Sequence, residues 1–220
     1  MSPLHSAQAA AGTASHILKI EGLSFHYPPR ALFTDWSICI APGVTAVRGD
    51  ESSGKTTLLR LMAGDLPVQA GRLRINSSDL LRDPVAYRAQ VFWADPRSTA
   101  LDQVTPVDYF KSLPPRYAFF DPKMLDELVD RFSLLEHQHK PMYMLSTGSK
   151  RKVWLAAAFS SGAPVTLLDE PFAALDKASI LVVKTLLNNA AAHPARAWVL
   201  ADYEAPDDVT LAATIDLDSQ

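Results

Sequence analysis

Apolar and polar positions alternate over residues 17–27 and 32–40, and this period of two predicts a pair of opening strands. Pro28-Pro29 closes the first strand, and Ala41-Pro42-Gly43 turns the chain after the second. Residues 44–47 are apolar without strong alternation, as in a strand buried on both faces. Residues 57–63 change to helical spacing and stop at Gly64. Alternation returns over 71–76, and 91–94 reads as a short apolar strand. From Asp95 to about Leu145 prolines recur, and helical patterns over 104–113 and 122–137 predict a small helical insertion. A helical run over 150–160, a wholly apolar strand over 165–168 and a helix over 177–192 follow, then strands over 197–201 and 213–217.

Strands that alternate with helices imply an α/β fold with a mostly parallel sheet and helices on both of its faces. The chain has 220 residues, enough for one sizeable domain. The expected division is a disordered tail over 1–15 and a single domain over 16–220, with a helical subdomain at about 95–160. The tail is rich in Ala and Ser and has no Lys or Arg, so it does not read as a signal peptide.

Composition narrows the function classes. A net charge of −3 offers no basic field, which argues against nucleic acid as the main partner. No apolar run approaches the ~18 residues of a membrane span, so any membrane role is expected to come through a partner. The single cysteine, Cys39, excludes a disulfide framework and fits a reducing compartment. Lying in an apolar strand pattern, it is expected in the core. His137, His139 and Cys39 do not make a metal-ligand spacing. The four Trp residues read as core or interface anchors.

Chemistry concentrates where strand pattern gives way to helix pattern. Gly49, Asp50, Glu51, Ser52, Ser53, Gly54, Lys55 and Thr56 fit G-x-x-x-x-G-K-[ST], the phosphate-binding loop. The glycines let backbone N–H groups turn inward on phosphate oxygens. Lys55 brings a mobile charge to the outer phosphates, and the Thr56 hydroxyl suits Mg²⁺. Thr57 follows in the helix, whose N-terminus presents roughly half a positive charge to an anion. Asp169 and Glu170 end an apolar strand: Asp169 can hold Mg²⁺ opposite Thr56, and Glu170 can orient and deprotonate an attacking water. Ser146 is a helix cap, and with Gly148 and the helix N-terminus it makes a second anion site. Taken alone, residues 145–149 read first as a simple capped helix.

In order and spacing these motifs resemble the ATP-binding cassette ATPases of ABC transporters, over roughly residues 17–218. The loop at 49–56, the signature at 145–149, the strand ending in Asp169-Glu170 and the D-loop Ala174-Leu175-Asp176 follow in the family's order. Residues 168–177 are similar to the heme-exporter cassette of cytochrome c maturation. The resemblance implies an α/β P-loop NTPase core with a mixed, mostly parallel sheet, an N-terminal antiparallel β region and a small helical signature subdomain, and ATP and Mg²⁺ as ligands. It implies two cassettes, a homodimer or heterodimer, with each ATP held between one phosphate loop and the other copy's signature. It further implies a separate transmembrane subunit and a peripheral place on the cytoplasmic face of the inner or plasma membrane. By resemblance Tyr27 stacks on adenine; its other reading is a core aromatic at a strand end.

Departures from the family pattern bear on catalysis. Thr147 and Ser149 replace the first glycine and the glutamine of the usual signature. The Q-loop glutamine is missing, and Trp93 or Asp95 takes its place, Gln90 being too early. An aspartate there can take a metal-bound water, which adds Asp95 to the metal candidates. Tyr203 stands where the family has its switch histidine, and a neutral phenol donates a hydrogen bond but is a poor substitute for imidazole. Glu170, Lys55 and Tyr203 are therefore the catalytic candidates, and slow but real hydrolysis is expected. The alternative is a hydrolysis-impaired, nucleotide-gated regulatory dimer. The run Lys150-Arg151-Lys152 reads as a solvated face, with strengthening of an anion site across the dimer as its second reading.

Overall fold

Residues 16–218 are described by the computed structural model; the tail expected over 1–15 lies outside them. The chain begins β1 (Leu18–Tyr27), β2 (Arg30–Ile40), β3 (Gly43–Arg48), α1 (Lys55–Met62), β4 (Ala70–Ile75), β5 (Ser78–Asp79), α2 (Pro84–Arg88) and β6 (Val91–Trp93). It continues α3 (Pro106–Lys111), α4 (Pro122–Arg131), α5 (Thr147–Ser160), β7 (Val165–Asp169), α6 (Lys177–Ala191), β8 (Ala197–Asp202) and β9 (Ala213–Asp216).

The strands sort by their apolar pattern. The alternating ones form an antiparallel sheet in the order β2-β1-β4-β5. The others form a second sheet, β6-β7-β8-β3-β9, in which every pairing is parallel. The antiparallel portion is thus a sheet of its own beside the parallel one. Helices and the first sheet cover both faces of the parallel sheet, so consecutive residues of its inner strands feed different cores. Leu167, Val199 and Ala201 belong to the core shared with α1 and the antiparallel sheet. Leu168, Trp198 and Leu200 belong to the core shared with α5, α6 and the helical insertion, including Phe132 and Met142.

Four local features differ from the sequence reading. The helical pattern over 122–137 is broken after α4, because Ser133 adopts φ 54°. The Ser133 N–H then donates to Asp130 O and the Leu134 N–H to Val129 O, both at 2.8 Å. This pattern closes a helix end and buries Leu134, and a 3-10 turn, Leu135–His137, follows. Helix α5 has the Ser146 cap expected from sequence, Ser146 Oγ accepting the Ser149 N–H at 3.1 Å, but begins at Thr147, a little before the helical run over 150–160. Strand β5 and helix α2 have no counterpart in the sequence reading, although Asp83-Pro84 is a start signal: Asp83 caps α2 by accepting the Ala86 N–H at 3.1 Å. Cys39 is exposed and not in the core. It lies on the edge strand β2, where Ile38 and Ile40 take the inward phase and leave Cys39 outward.

The junction after α5 is sterically tight. Gly162 has φ +67°, and a Cβ there would lie 2.1 Å from the Phe119 carbonyl oxygen. Gly162→Ala is expected to cost about 2–4 kcal/mol, from left-handed strain plus a backbone clash. Urea unfolding reads this cost, and an unchanged midpoint would mean that the junction yields freely.

Candidate functional site

The parallel sheet places the phosphate loop. Strand β3 ends at Arg48 and α1 begins at Lys55, so the loop lies at the carboxyl edge of the sheet, with Gly54 as the cap residue of α1. Lys55 is buried and folded into the loop, where Nζ donates to the carbonyl oxygens of Gly49 (2.5 Å) and Asp50 (2.7 Å). Asp218 secures the start of the loop by accepting the Asp50 N–H at 2.8 Å.

Strand β7 brings the two carboxylates to the same edge. Thr56 Oγ1 donates to Asp169 Oδ2 at 2.8 Å, joining residues far apart in sequence. Burial pushes the Asp169 carboxyl above its ordinary range, and the Thr56 hydroxyl opposes that rise. A hydroxyl oxygen and a carboxylate oxygen at this spacing fit Mg²⁺, which takes few protein ligands and fills its octahedron with water and phosphate oxygens. In keeping with so open a site, no cluster of three or more His, Cys, Asp or Glu among the described residues could hold a metal by itself.

Glu170 sits next in the chain with φ 47°, a strained value for a residue with a side chain. Three hydrogen bonds hold it there. Its N–H donates to Ala201 O (2.8 Å), and its carbonyl accepts from the Ala173 N–H (3.1 Å) and Arg151 Nη1 (2.6 Å). Arg151 Nη1 also donates to Asp169 O at 2.6 Å, so α5 grips the end of β7. The other two members of the basic run are tied as well, Lys150 to Asp102 at 3.0 Å and Lys152 to Asp176 at 2.6 Å. The run is therefore a set of internal fasteners and not a solvated face. The Lys152 ammonium, helped by the Ser179 N–H and hydroxyl, holds the Asp176 carboxyl well below the usual carboxylate range.

Arg151→Ala is expected to lower kcat by about 10²-fold with nucleotide affinity nearly unchanged, because it frees the backbone that sets the direction of the Glu170 side chain. Steady-state kinetics with a binding titration check this; loss of affinity without loss of kcat would place Arg151 outside the positioning of Glu170.

A cleft of about 390 Å³ opens over these residues, within the usual range for a small-molecule site. It is lined by Glu51, Ser52, Ser53, Gly54, Lys55, Thr56 and Thr57 of the loop and the start of α1, and by Glu170 just past β7. Tyr27 and Tyr203 line it from opposite parts of the chain. Tyr27 is 46% exposed, which removes its core reading. The Tyr203 ring lies 4.8 Å from Lys55 Nζ, a cation–π contact. Arg30, Leu32 and Arg97 complete the lining, and the sequence reading missed all three. Arg30, just past the Pro28-Pro29 corner, donates from Nη1 to Ser52 O at 3.0 Å.

Other candidates stand apart from this cleft. Gly49 and Asp50 lie behind it, holding Lys55 through their carbonyls. Asp95 and Trp93 line a neighbouring hollow with Asp65 and Tyr109. Ser146 is exposed and Gly148 partly so, and neither lines the cleft. Gly148 has a packing reason of its own, since a Cβ there would come 2.5 Å from Ala174 O in the D-loop.

A phosphate loop closed by a lysine, with a carboxylate paired to the loop's threonine, is the architecture of a P-loop nucleotide-binding fold. The family model described as ABC transporter matches residues 33–173, more than half of the chain, and the chain belongs to that family. It is an ABC-type ATP-binding cassette. The cytochrome c biogenesis ATP-binding export protein CcmA of Pseudomonas savastanoi pv. phaseolicola is 31% identical to it over 181 residues, covering 82% of this chain and 84% of that protein. The taurine import ATP-binding protein TauB of Pseudomonas fluorescens is 29% identical over 202 residues, 90% of this chain and 76% of that one. Among solved structures, an ATP-binding subunit of an ABC transporter superposes with a TM-score of 0.74 at 22% identity, over 84% of this chain and 79% of its own. The cbiO1 protein of Clostridium perfringens, part of the ABC transporter complex cbiONQ, superposes with a TM-score of 0.63 at 23% identity, over 86% and 79%. No helix among the described residues is long and apolar enough to cross a membrane.

Proposed function

We propose that this chain is the ATP-hydrolysing subunit of an ABC-type membrane transporter. It works as one of two cassettes that sandwich ATP and drive a separate transmembrane subunit from the cytoplasmic face of the membrane. The observation that carries the reading is a division of the site: Lys55, Thr56 and Glu170 share one cleft, while Ser146 stands exposed outside it. A cleft that lacks the signature serine is half a site, and a second copy or a related cassette supplies the other half. In this reading Tyr27 stacks on the base, the loop N–H groups and Lys55 hold the phosphates, and Thr56 with Asp169 holds Mg²⁺. Bound Mg²⁺ supplies charge neutralisation at the outer phosphate oxygens. Glu170 accepts a proton from the water that attacks the terminal phosphate.

Hydrolysis is slow in this reading, because Tyr203 replaces the imidazole and Asp95 lies in the neighbouring hollow. Those same two placements favour the second reading, a dimer gated by ATP with incidental turnover. The names of the relatives, one for export and one for import, support a transport role and leave the cargo to the membrane subunit. The test is gentle detergent purification of the full chain with ATP, followed by identification of what accompanies it. A co-purifying polytopic membrane protein is the expected result; a soluble dimer without one would count against the transporter reading.

A further inference from the structure

We infer that Arg97 is a catalytic and nucleotide-discriminating residue: it supplies, from the same chain as the phosphate loop, the positive charge that contacts the terminal phosphate of ATP. The inference rests on the ATPase reading and adds to it a residue that neither motif nor spacing indicates.

A turn sets the position. Asp95 Oδ1 accepts the Arg97 N–H at 2.9 Å, and Asp95 O accepts the Ser98 N–H at 3.1 Å. Asp95-Pro96 thereby folds back on itself, which leaves Asp95 in the neighbouring hollow and carries Arg97 into the nucleotide cleft. The Q-loop segment thus presents a cation to the site where the family pattern calls for an amide.

Three cations line the cleft, and their engagements differ. Lys55 Nζ is bonded to the Gly49 and Asp50 carbonyls. Arg30 is bonded to Ser52 O. The Arg97 guanidinium makes no hydrogen bond among the described residues; its nearest ionic neighbour is Glu170 Oε1 at 3.8 Å, and its side chain is 68% exposed. A contact of that length and exposure binds weakly, so a phosphate can displace it. The guanidinium keeps its planar fork of donors, which matches two oxygens of a phosphoryl group.

Its neighbour decides which phosphate it meets. Glu170 is the base for the attacking water, so a cation 3.8 Å from its carboxylate stands beside the reacting phosphorus. Tyr203, the other group at this end, is a neutral phenol whose ring already faces Lys55. In the step, the water oxygen bonds to the terminal phosphorus as the bond from phosphorus to the bridging oxygen breaks. The water proton passes to Glu170, and the electron pair leaves on ADP. Arg97 gains and loses no proton; it stabilises charge on the non-bridging oxygens, as an arginine finger does. ADP lacks the γ-phosphate that Arg97 contacts, so Arg97 also favours ATP over ADP.

The experiment compares wild type, Arg97→Ala and Arg97→Lys as full chains with Mg²⁺. Calorimetric affinities for ATP and for ADP are the first readout, and kcat and KM the second. Arg97→Ala is expected to weaken ATP about tenfold with ADP within about twofold, and to lower kcat by at least about 10²-fold. Arg97→Lys is expected to recover part of the ATP preference, because it keeps the charge and loses the fork. Equal changes in ATP and ADP affinity, no change in either, or kcat retained within about threefold in Arg97→Ala would overturn the inference. A wild-type chain that binds ATP no better than Lys55→Ala is a different result: it overturns the nucleotide site itself.

Discussion

Glu170→Gln is expected to cut ATP turnover by about 10²–10⁴-fold while leaving ATP affinity nearly unchanged. Glutamine keeps the size and hydrogen-bonding reach of glutamate but cannot accept a proton from water. The backbone that aims the side chain is held independently by Ala201, Ala173 and Arg151, so the variant keeps its geometry. The strained φ of 47° at this position belongs to the same design: the fold holds an unfavourable backbone so that the carboxylate faces the cleft. Single-turnover hydrolysis and a binding titration on one preparation separate the two effects. The variant is also expected to accumulate as an ATP-bound dimer in size-exclusion chromatography. Turnover close to wild type would mean that another group activates the water.

Lys55→Ala is expected to weaken ATP binding by at least about 10²-fold, from two losses that act together. The first is the charge itself, which no neighbouring residue replaces at that depth in the loop. The second is the loop's shape: Lys55 Nζ ties the Gly49 and Asp50 carbonyls from inside, and an alanine leaves both without that donor. The loop then pays an ordering cost on binding that the wild type does not. Tyr203 also loses the ammonium beneath its ring. Thermal shift with and without ATP gives the comparison, and a ligand-induced shift equal to that of wild type would show that the loop N–H groups suffice.

The phosphate loop and the two carboxylates were legible because their information is local. A glycine-rich turn between strand and helix needs only neighbouring residues to be recognised, and so does an acidic pair at the end of an apolar strand. The Ser146 cap was legible for the same reason, within about three residues of the helix start. Arg30 and Arg97 were not, because a lone arginine in a loop carries no period and no motif. Their positions follow from a corner after Pro28-Pro29 and from the turn at Asp95, which decide where each guanidinium ends. Cys39 was misplaced because an apolar strand pattern does not say which strand is at the edge. The basic run was misread because each of its charges has a partner distant in sequence: Asp102, the carbonyls at the end of β7, and Asp176.

The sequence by itself determined the α/β order of elements, the phosphate loop, the carboxylates and the family, since each is written in residues that lie close together. Only the tertiary structure decided that Asp169 meets Thr56, that Arg151 grips the backbone of Glu170, and that Arg97 rather than Asp95 enters the cleft. The physical reason is the same in each case. Contacts between distant segments depend on sheet order and turn geometry, and these are settled by burying both faces of the parallel sheet at once.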